Sequence, residues 1–352
     1  MPERQPIPAI TGVGAAFGSR IILNAEVIAN MAGVIPGLKP RVVERLLKPV
    51  GVVTRRWVDP GKESTSDLAS AALREALGMV GMDPKTLRTI IVATSTPDYI
   101  AVPVAATLQH ALGIEPTQVR GYDIAAACSG FLQALYDGML EMTSPYGHTG
   151  PSGIVGADIL SLSIDPRRGE IYPLLGDAAG AVILESTVPD DGAPTQTGFA
   201  FGADGEYPEK LAAPAGGSKN PLTPDLLASG GFSLHMDGAY IKDRAIEMMA
   251  AMTRKALERI HVPLEEIALF IPHQANLQII RGVADSLNFP MDRVMVTIDR
   301  YGNTSAASIP TALKVAVDEG RIRRNQFLAM TAFGAGLNFC AAVMPLVGLP
   351  KK

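Results

Sequence analysis

Residues 122–135, YDIAAACSGFLQAL, read as the end of a strand, a turn of small residues and the start of a helix. Residues 298–313, IDRYGNTSAASIPTAL, repeat that plan with little identity. The echo extends outward in order. RTIIVATSTPDYIAVPVAATLQHALGI (88–114) matches EEIALFIPHQANLQIIRGVADSLNF (265–289): each gives a strand, a polar turn, then a helix. SGIVGADI (152–159) and GAVILES (180–186) read as strands and match a hairpin formed by FLAMTAF (327–333) and LNFCAAVMPLV (337–347). A helix is predicted over 238–260 and a strand over 267–272. Strands alternating with helices predict an α/β fold with mainly parallel pairing. Ordered internal similarity predicts a duplicated chain. Pseudo-twofold halves would bring matching turns together at the carboxyl ends of their strands, where open α/β sheets build sites.

Bulk composition fits this reading. The chain has 352 residues, 47% hydrophobic and 19% charged, enough for two core-bearing halves, expected at 1–186 and 187–352. A net charge of −4 supplies no general attraction to nucleic acid or an anionic membrane. Two cysteines in so long a chain argue against a disulfide scaffold and fit a reducing, cytoplasmic setting. The N-terminal stretch carries charges of both signs and several prolines, without a long apolar run. Residues 327–350 contain no charge and reach the length of a membrane span, but the central GAG, Asn338 and Pro345 favour two buried strands.

The matched turns carry chemistry. The first half offers Cys128; the second offers His273 in IPHQAN and Asn303 in YGNTSA. Each has a plain alternative. A free cysteine is often simply buried, a histidine can be a hydrogen-bonded core residue, and an asparagine after glycine can serve a turn. Together, a nucleophile, an imidazole and an amide on equivalent turns point to a site. Cys340 lies inside an apolar run and reads as packing. His110, His148, His235 and His261 lack metal-ligand spacing, and GDAAGA (176–181) lacks a P-loop lysine. The Gly- and Pro-rich stretch from about 202 to 232 is long enough to suggest substrate access or oligomer contact.

Seven ordered motifs carry a resemblance: TSDLA (65–69), TPDY (96–99), AACSGF (126–131), GDAAGAVIL (176–184), IPHQAN (271–276), YGNTSAASIP (301–310) and FGAGL (333–337). The chain resembles the β-ketoacyl-acyl-carrier-protein synthases III, condensing enzymes of the thiolase superfamily, over nearly its whole length. The resemblance implies a duplicated thiolase-like α/β fold, five layers α-β-α-β-α with two pseudo-twofold-related mixed sheets. It implies that Cys128, His273 and Asn303 form the catalytic set. An acyl primer would load on Cys128, helped by the N-terminus of the helix beginning near Ser129. Decarboxylation of a malonyl thioester would then yield a carbanion that attacks acyl-Cys128 to give a 3-oxoacyl product. Neutral His273 and Asn303 would stabilise the enolate, and the backbone N–H groups of Cys128 and Ala335 the second oxyanion. Small neighbours of Cys128 would leave room for the thioester.

The resemblance also implies a homodimer, with TPDYIAVP (96–103) reaching the partner, and no resident cofactor, acyl-CoA and malonyl thioester being substrates. Expected substrate-binding residues are Arg45, Val102, Arg168 and Asn276. Several of these depart from the family pattern. Arg45 and Pro49 in RLLKPVG replace the Trp and Arg beside the coenzyme A adenine, whereas Arg168 matches another residue there. Val102 replaces a gate that is often Phe and that the dimer partner supplies. At the carrier-protein docking patch the aligned residues are Asp243, Gln278, Asp285 and Ser286, with Arg244 and Arg281 out of register. The core chemistry therefore carries over, while the thioester carrier is left open. The remaining alternatives are a specialised secondary-metabolite ketosynthase, an acyl transferase that does not condense, and a non-catalytic partner subunit.

Overall fold

The computed structural model describes residues 4–147 and 150–350; His148 lies outside them. The first half runs β1 (Ile7–Phe17), β2 (Arg20–Leu23), α1 (Asn24–Val34), α2 (Pro40–Val50), β3 (Thr54–Trp57), α3 (Thr65–Val80), β4 (Thr89–Ala93), α4 (Val104–Ala111), β5 (Arg120–Ile124), α5 (Gly130–Thr143), β6 (Ser152–Asp158) and β7 (Ala178–Thr187). The second runs β8 (Gly198–Ala203), β9 (Leu211–Ala212), α6 (Pro224–Ala228), β10 (His235–Met236), α7 (Gly238–Ile260), β11 (Ile267–Pro272), α8 (Leu277–Leu287), α9 (Ile298–Tyr301), α10 (Ser308–Asp318), β12 (Phe327–Gly334) and β13 (Asn338–Pro345).

Two sheets have the same plan. The first is ordered β1-β7-β6-β4-β5 and the second β8-β13-β12-β11. Both are mixed. The pairs β4–β5, β4–β6 and β11–β12 are parallel, and β1–β7, β6–β7, β12–β13 and β13–β8 are antiparallel. Mainly parallel pairing is therefore incorrect. Helical crossovers feed the central strands, but a long loop after β6 and a tight turn after β12 return β7 and β13 antiparallel beside their neighbours.

Burial sorts the elements into five layers. One core packs α3 and α4 on one face of the first sheet through Leu68, Leu73, Leu108, Ile90, Val92 and Ile183. A second encloses α5 and α10 between the sheets, joining Phe131 and Ile309 to Ile91, Val182, Leu269 and Met330. The third joins Met249, Ile280, Phe270 and Phe339 as α7 and α8 cover the outer face of the second sheet. Helices on both faces explain the unbroken apolar strands. The uncharged stretch near the C-terminus is such a case: β12 is buried throughout and pairs with β13. Among the described residues no helix is long and apolar enough to cross a membrane.

The second half departs from the first once. The expected strand before GNTSA does not form. Its place is held by a single parallel bridge between Phe270 and Val294, followed by the short helix α9. Gln274 holds this substitute. Its amide donates to Pro272 O at 2.7 Å and Met295 O at 3.1 Å, and its Oε1 accepts the Thr297 N–H at 2.7 Å.

Candidate active site

The two central helices begin with the same elbow. In the first, Ala127 has φ 46° and opens a 3₁₀ turn, Ala127–Ser129, that runs into α5. In the second, Ser305 has φ 51° and opens Ser305–Ala307, which runs into α10. The elbows meet: Cys128 Sγ lies 3.3 Å from Ser305 Oγ. Gly334 closes the turn from the other side. A Cβ there would stand 2.9 Å from both Ala126 O and Cys128 N, so only a bare backbone fits.

Cys128, His273, Asn303, Ala335 and Asn276 all line one cavity of about 1560 Å³. His273 is fully buried at the end of β11. Its Nδ1 lies 2.6 Å from Ser308 Oγ, and its ring meets Phe333 edge-on. Nε2 has no hydrogen-bond partner within the protein, an orphaned buried nitrogen on the cavity wall. Burial lowers the imidazole pKa to about 3, so the ring is neutral at working pH. A Ser308 hydroxyl that donates to Nδ1 puts the proton of the neutral ring on Nε2, the tautomer in which a substrate oxygen can accept it. Asn303 is oriented in the same sense. Its Oδ1 accepts the Ser305 N–H at 2.9 Å, leaving the amide NH₂ to donate. Gly302 before it has φ 68°, and a Cβ there would stand 2.7 Å from Leu174 O. Asn276 accepts the Gln278 N–H at 2.8 Å and caps α8.

Burial pushes the Cys128 pKa up to about 12, nearby Asp158 adds to the rise, and the Ser305 hydroxyl opposes it. Desolvation favours the neutral thiol, and the N-terminus of α5 at Gly130 acts in the opposite sense. Cys340 is buried against the same elbow, its thiol 3.6 Å from Ser129 O, and burial raises its pKa as well.

Two expected substrate contacts, Arg45 and Arg168, are not on the cavity wall. Arg45 is exposed, and its neighbours Leu46 and Leu47 line the wall instead. Val102, expected to reach the partner's site, is 45% exposed and off this cavity's wall, while Tyr99 and Ile100 lie on it. Arg168 turns to Gly230 O at 3.4 Å, and the adjacent Gly169 and Glu170 line the cavity. A one-residue shift on a helix or loop suffices to turn a side chain away. The stretch 202–232 does reach the site: Pro208, Leu211, Ala213 and Phe232 line the cavity. Sequence reading missed Ser305, Ser308 and Asp158. The first two sat in view inside NTSAAS; the third was read only as the end of a strand. Among the described residues no cluster of ligating side chains could hold a metal ion.

Residues 122–205 match the family model for 3-oxoacyl-[acyl-carrier-protein] synthase III, and 257–346 match the model for its C-terminal part. A β-ketoacyl-[acyl-carrier-protein] synthase III of Roseiflexus castenholzii is 38% identical over 336 residues, 96% of this chain and 97% of the relative. The chain belongs to the β-ketoacyl-[acyl-carrier-protein] synthase III family. It is a condensing enzyme, a transferase with the duplicated thiolase-like fold. The Thermus thermophilus synthase III structure superposes with a TM-score of 0.82 at 34% identity, covering 96% of this chain and 98% of that one. The priming β-ketosynthase of the R1128 polyketide pathway superposes at 0.83 with 28% identity, covering 98% of each chain.

Proposed function

We propose that this family member primes on Cys128 with an acyl group longer than acetyl and extends it with a malonyl thioester. His273 Nε2 and the Asn303 amide hold the enolate oxygen as carbon dioxide leaves. The backbone N–H groups of Cys128 and Ala335 hold the oxyanion when the carbanion attacks acyl-Cys128. The cavity carries the primer reading. At about 1560 Å³ it exceeds the 300–1,000 Å³ usual for small ligands, and its wall includes Leu160, Ile164, Ile171, Leu211, Phe232 and Ile241.

Donor choice follows from charge. Asp243 is exposed on α7, and Arg244 is engaged by Asp204 at 2.8 Å and Glu247 at 2.9 Å. At these two positions of α7 no free positive charge meets an acidic carrier protein, so the reading favours coenzyme A thioesters or an unusual carrier. No cofactor enters the scheme. The loop bearing Tyr99, 68% exposed, and Ile100, 96% exposed, supports a homodimer that covers it. The reading places the enzyme in the cytoplasm with acyl-CoA as primer donor.

The test compares kcat/KM across primer lengths, with the malonyl group on coenzyme A and then on carrier protein. Highest values for medium or branched primers are expected. Strict preference for acetyl-CoA with malonyl carrier protein would return the chain to ordinary fatty-acid initiation. Light scattering is expected to give a dimer; a stable, active monomer would remove that part of the reading.

A further inference from the structure

Pro272 interrupts the pairing of β11 with residues 294–298. Phe270 forms a parallel bridge to Val294, and Phe270 O accepts the Met295 N–H at 2.8 Å. In a parallel ladder the pattern repeats at every second residue, each offering an N–H and a C=O to the groups flanking its partner. Two residues after Phe270 that role falls to Pro272, facing Met295 O and the Thr297 N–H. Proline has no N–H, so it cannot give Met295 O a donor.

The side chain of Gln274 takes over. Its Nε2 donates to Met295 O at 3.1 Å and to Pro272 O at 2.7 Å. Its Oε1 accepts the Thr297 N–H at 2.7 Å and the Ile298 N–H at 3.2 Å. All four partners are backbone groups. The carbonyls can only accept and the N–H groups can only donate, so the partners fix which way the amide faces. The amide thus pairs with the groups that a strand residue at position 272 would have taken. Gln274 is 1% exposed, both its donors and both acceptor sites are used, and it does not line the cavity.

This clamp joins the two segments that carry the side-chain donors of the site. His273 immediately precedes Gln274 at the end of β11. Thr297 and Ile298 open α9, which ends at Tyr301, and Gly302 and Asn303 follow. On its other side Asn303 is held by the first half, its N–H donating to Leu174 O at 2.7 Å and its C=O accepting the Gly176 N–H at 2.9 Å.

We propose that Gln274 is a positioning residue for decarboxylation, its amide setting the spacing between His273 Nε2 and the Asn303 side chain. This rests on the reading of those two groups as the donors to the enolate oxygen. Two donors stabilise one oxyanion only when both stand at hydrogen-bond distance from the same point. A displacement on the order of 1 Å costs about 10²-fold in rate. None of the four hydrogen bonds of the Gln274 amide reaches the first elbow, so acylation of Cys128 does not depend on it.

The experiment follows the two half-reactions separately on the full chain. Octanoyl-CoA loads Cys128, and intact mass gives the rate of acylation. The loaded protein then meets malonyl-CoA, and carbon dioxide release is timed. Gln274→Met keeps the length of the side chain without the amide. It should release carbon dioxide about 10- to 100-fold slower, in kcat with KM for malonyl-CoA nearly unchanged, while acylation stays within about twofold of native. Gln274→Glu matches the shape and, kept neutral by burial, retains a donor and an acceptor, so it should lose only about three- to tenfold. It also carries the test if the methionine variant does not fold. A role in the scaffold alone would lower both half-reactions together, as the folded fraction falls with Tm. Equal loss of both half-reactions in either variant, or native rates of carbon dioxide release in a folded variant, overturns the proposal. A native protein that takes the acyl group on Cys128 but releases no carbon dioxide from malonyl-CoA overturns the condensing scheme itself, and the positioning role with it.

Discussion

The two elbows share a backbone and divide the chemistry. Ser129 N–H donates to Ala126 O at 3.2 Å, and Ala307 N–H donates to Thr304 O at 3.0 Å, closing the same turn. Position by position, Ala127, Cys128 and Gly130 face Ser305, Ala306 and Ser308. The first half keeps its turn small and supplies the nucleophile. The second puts hydroxyls at the positions where the first is bare, and uses them on Cys128 and His273. A duplicated scaffold thus builds an asymmetric site by changing side chains on equivalent, already rigid turns.

The sharpest attempt to break this division exchanges the nucleophile. Cys128→Ala should lose acyl uptake and about 10³-fold or more in turnover, as expected when a covalent route is removed. Adding Ala306→Cys should not restore it, because position 306 is 1% exposed and its N–H is held by Asp158. Intact mass after incubation with acyl-CoA reads both variants; an acyl group on residue 306 would show the elbows to be interchangeable.

The next effect lies in the second half. His273→Ala and Asn303→Ala should each cost about 10²–10³ in release of carbon dioxide from a malonyl thioester while acyl-Cys128 still forms. Equal loss of both half-reactions would erase the division of labour. Ser308→Ala frees His273 Nδ1 and should lower kcat for condensation by about tenfold, with KM for the primer unchanged and Ser308→Thr restoring activity. Unchanged condensation in the alanine variant would mean that the tautomer does not depend on Ser308.

A smaller effect is structural. Gly334→Ala presses a methyl against the first elbow and should destabilise by about 1–3 kcal/mol, read as a lower Tm. The smallest is a pH effect. Folded His273 stays neutral to about pH 3, whereas an unfolded imidazole protonates near its ordinary value. The unfolded state therefore binds more protons below about pH 6.5, and Tm should fall on acidification by about 2 °C per unit from this residue. His273→Asn should flatten that slope; an unchanged slope would place the acid sensitivity elsewhere.

Much was legible locally. The helix expected over 238–260 is α7 from Gly238 to Ile260, because its apolar spacing matches one buried face. The final hairpin was legible from uncharged runs broken by glycines. The strand before GNTSA misled, since residues 294–301 took their shape from Gln274, more than twenty positions away. Arg45 and Arg168 fall off the cavity wall, because a position in the chain does not fix where its side chain points.

By itself the sequence determined the duplication, the alternation of strands and helices, and the three residue types gathered at the turns. These depend on periodicity and on where glycine and small residues permit a tight backbone, which are properties of neighbours along the chain. Only the tertiary structure decided that burial raises the Cys128 pKa, that Ser305 stands beside it from 177 positions away, and that Asp158 accepts the Ala306 N–H of the same elbow. Those facts depend on desolvation and on distances across stacked layers, and both are set by the whole fold.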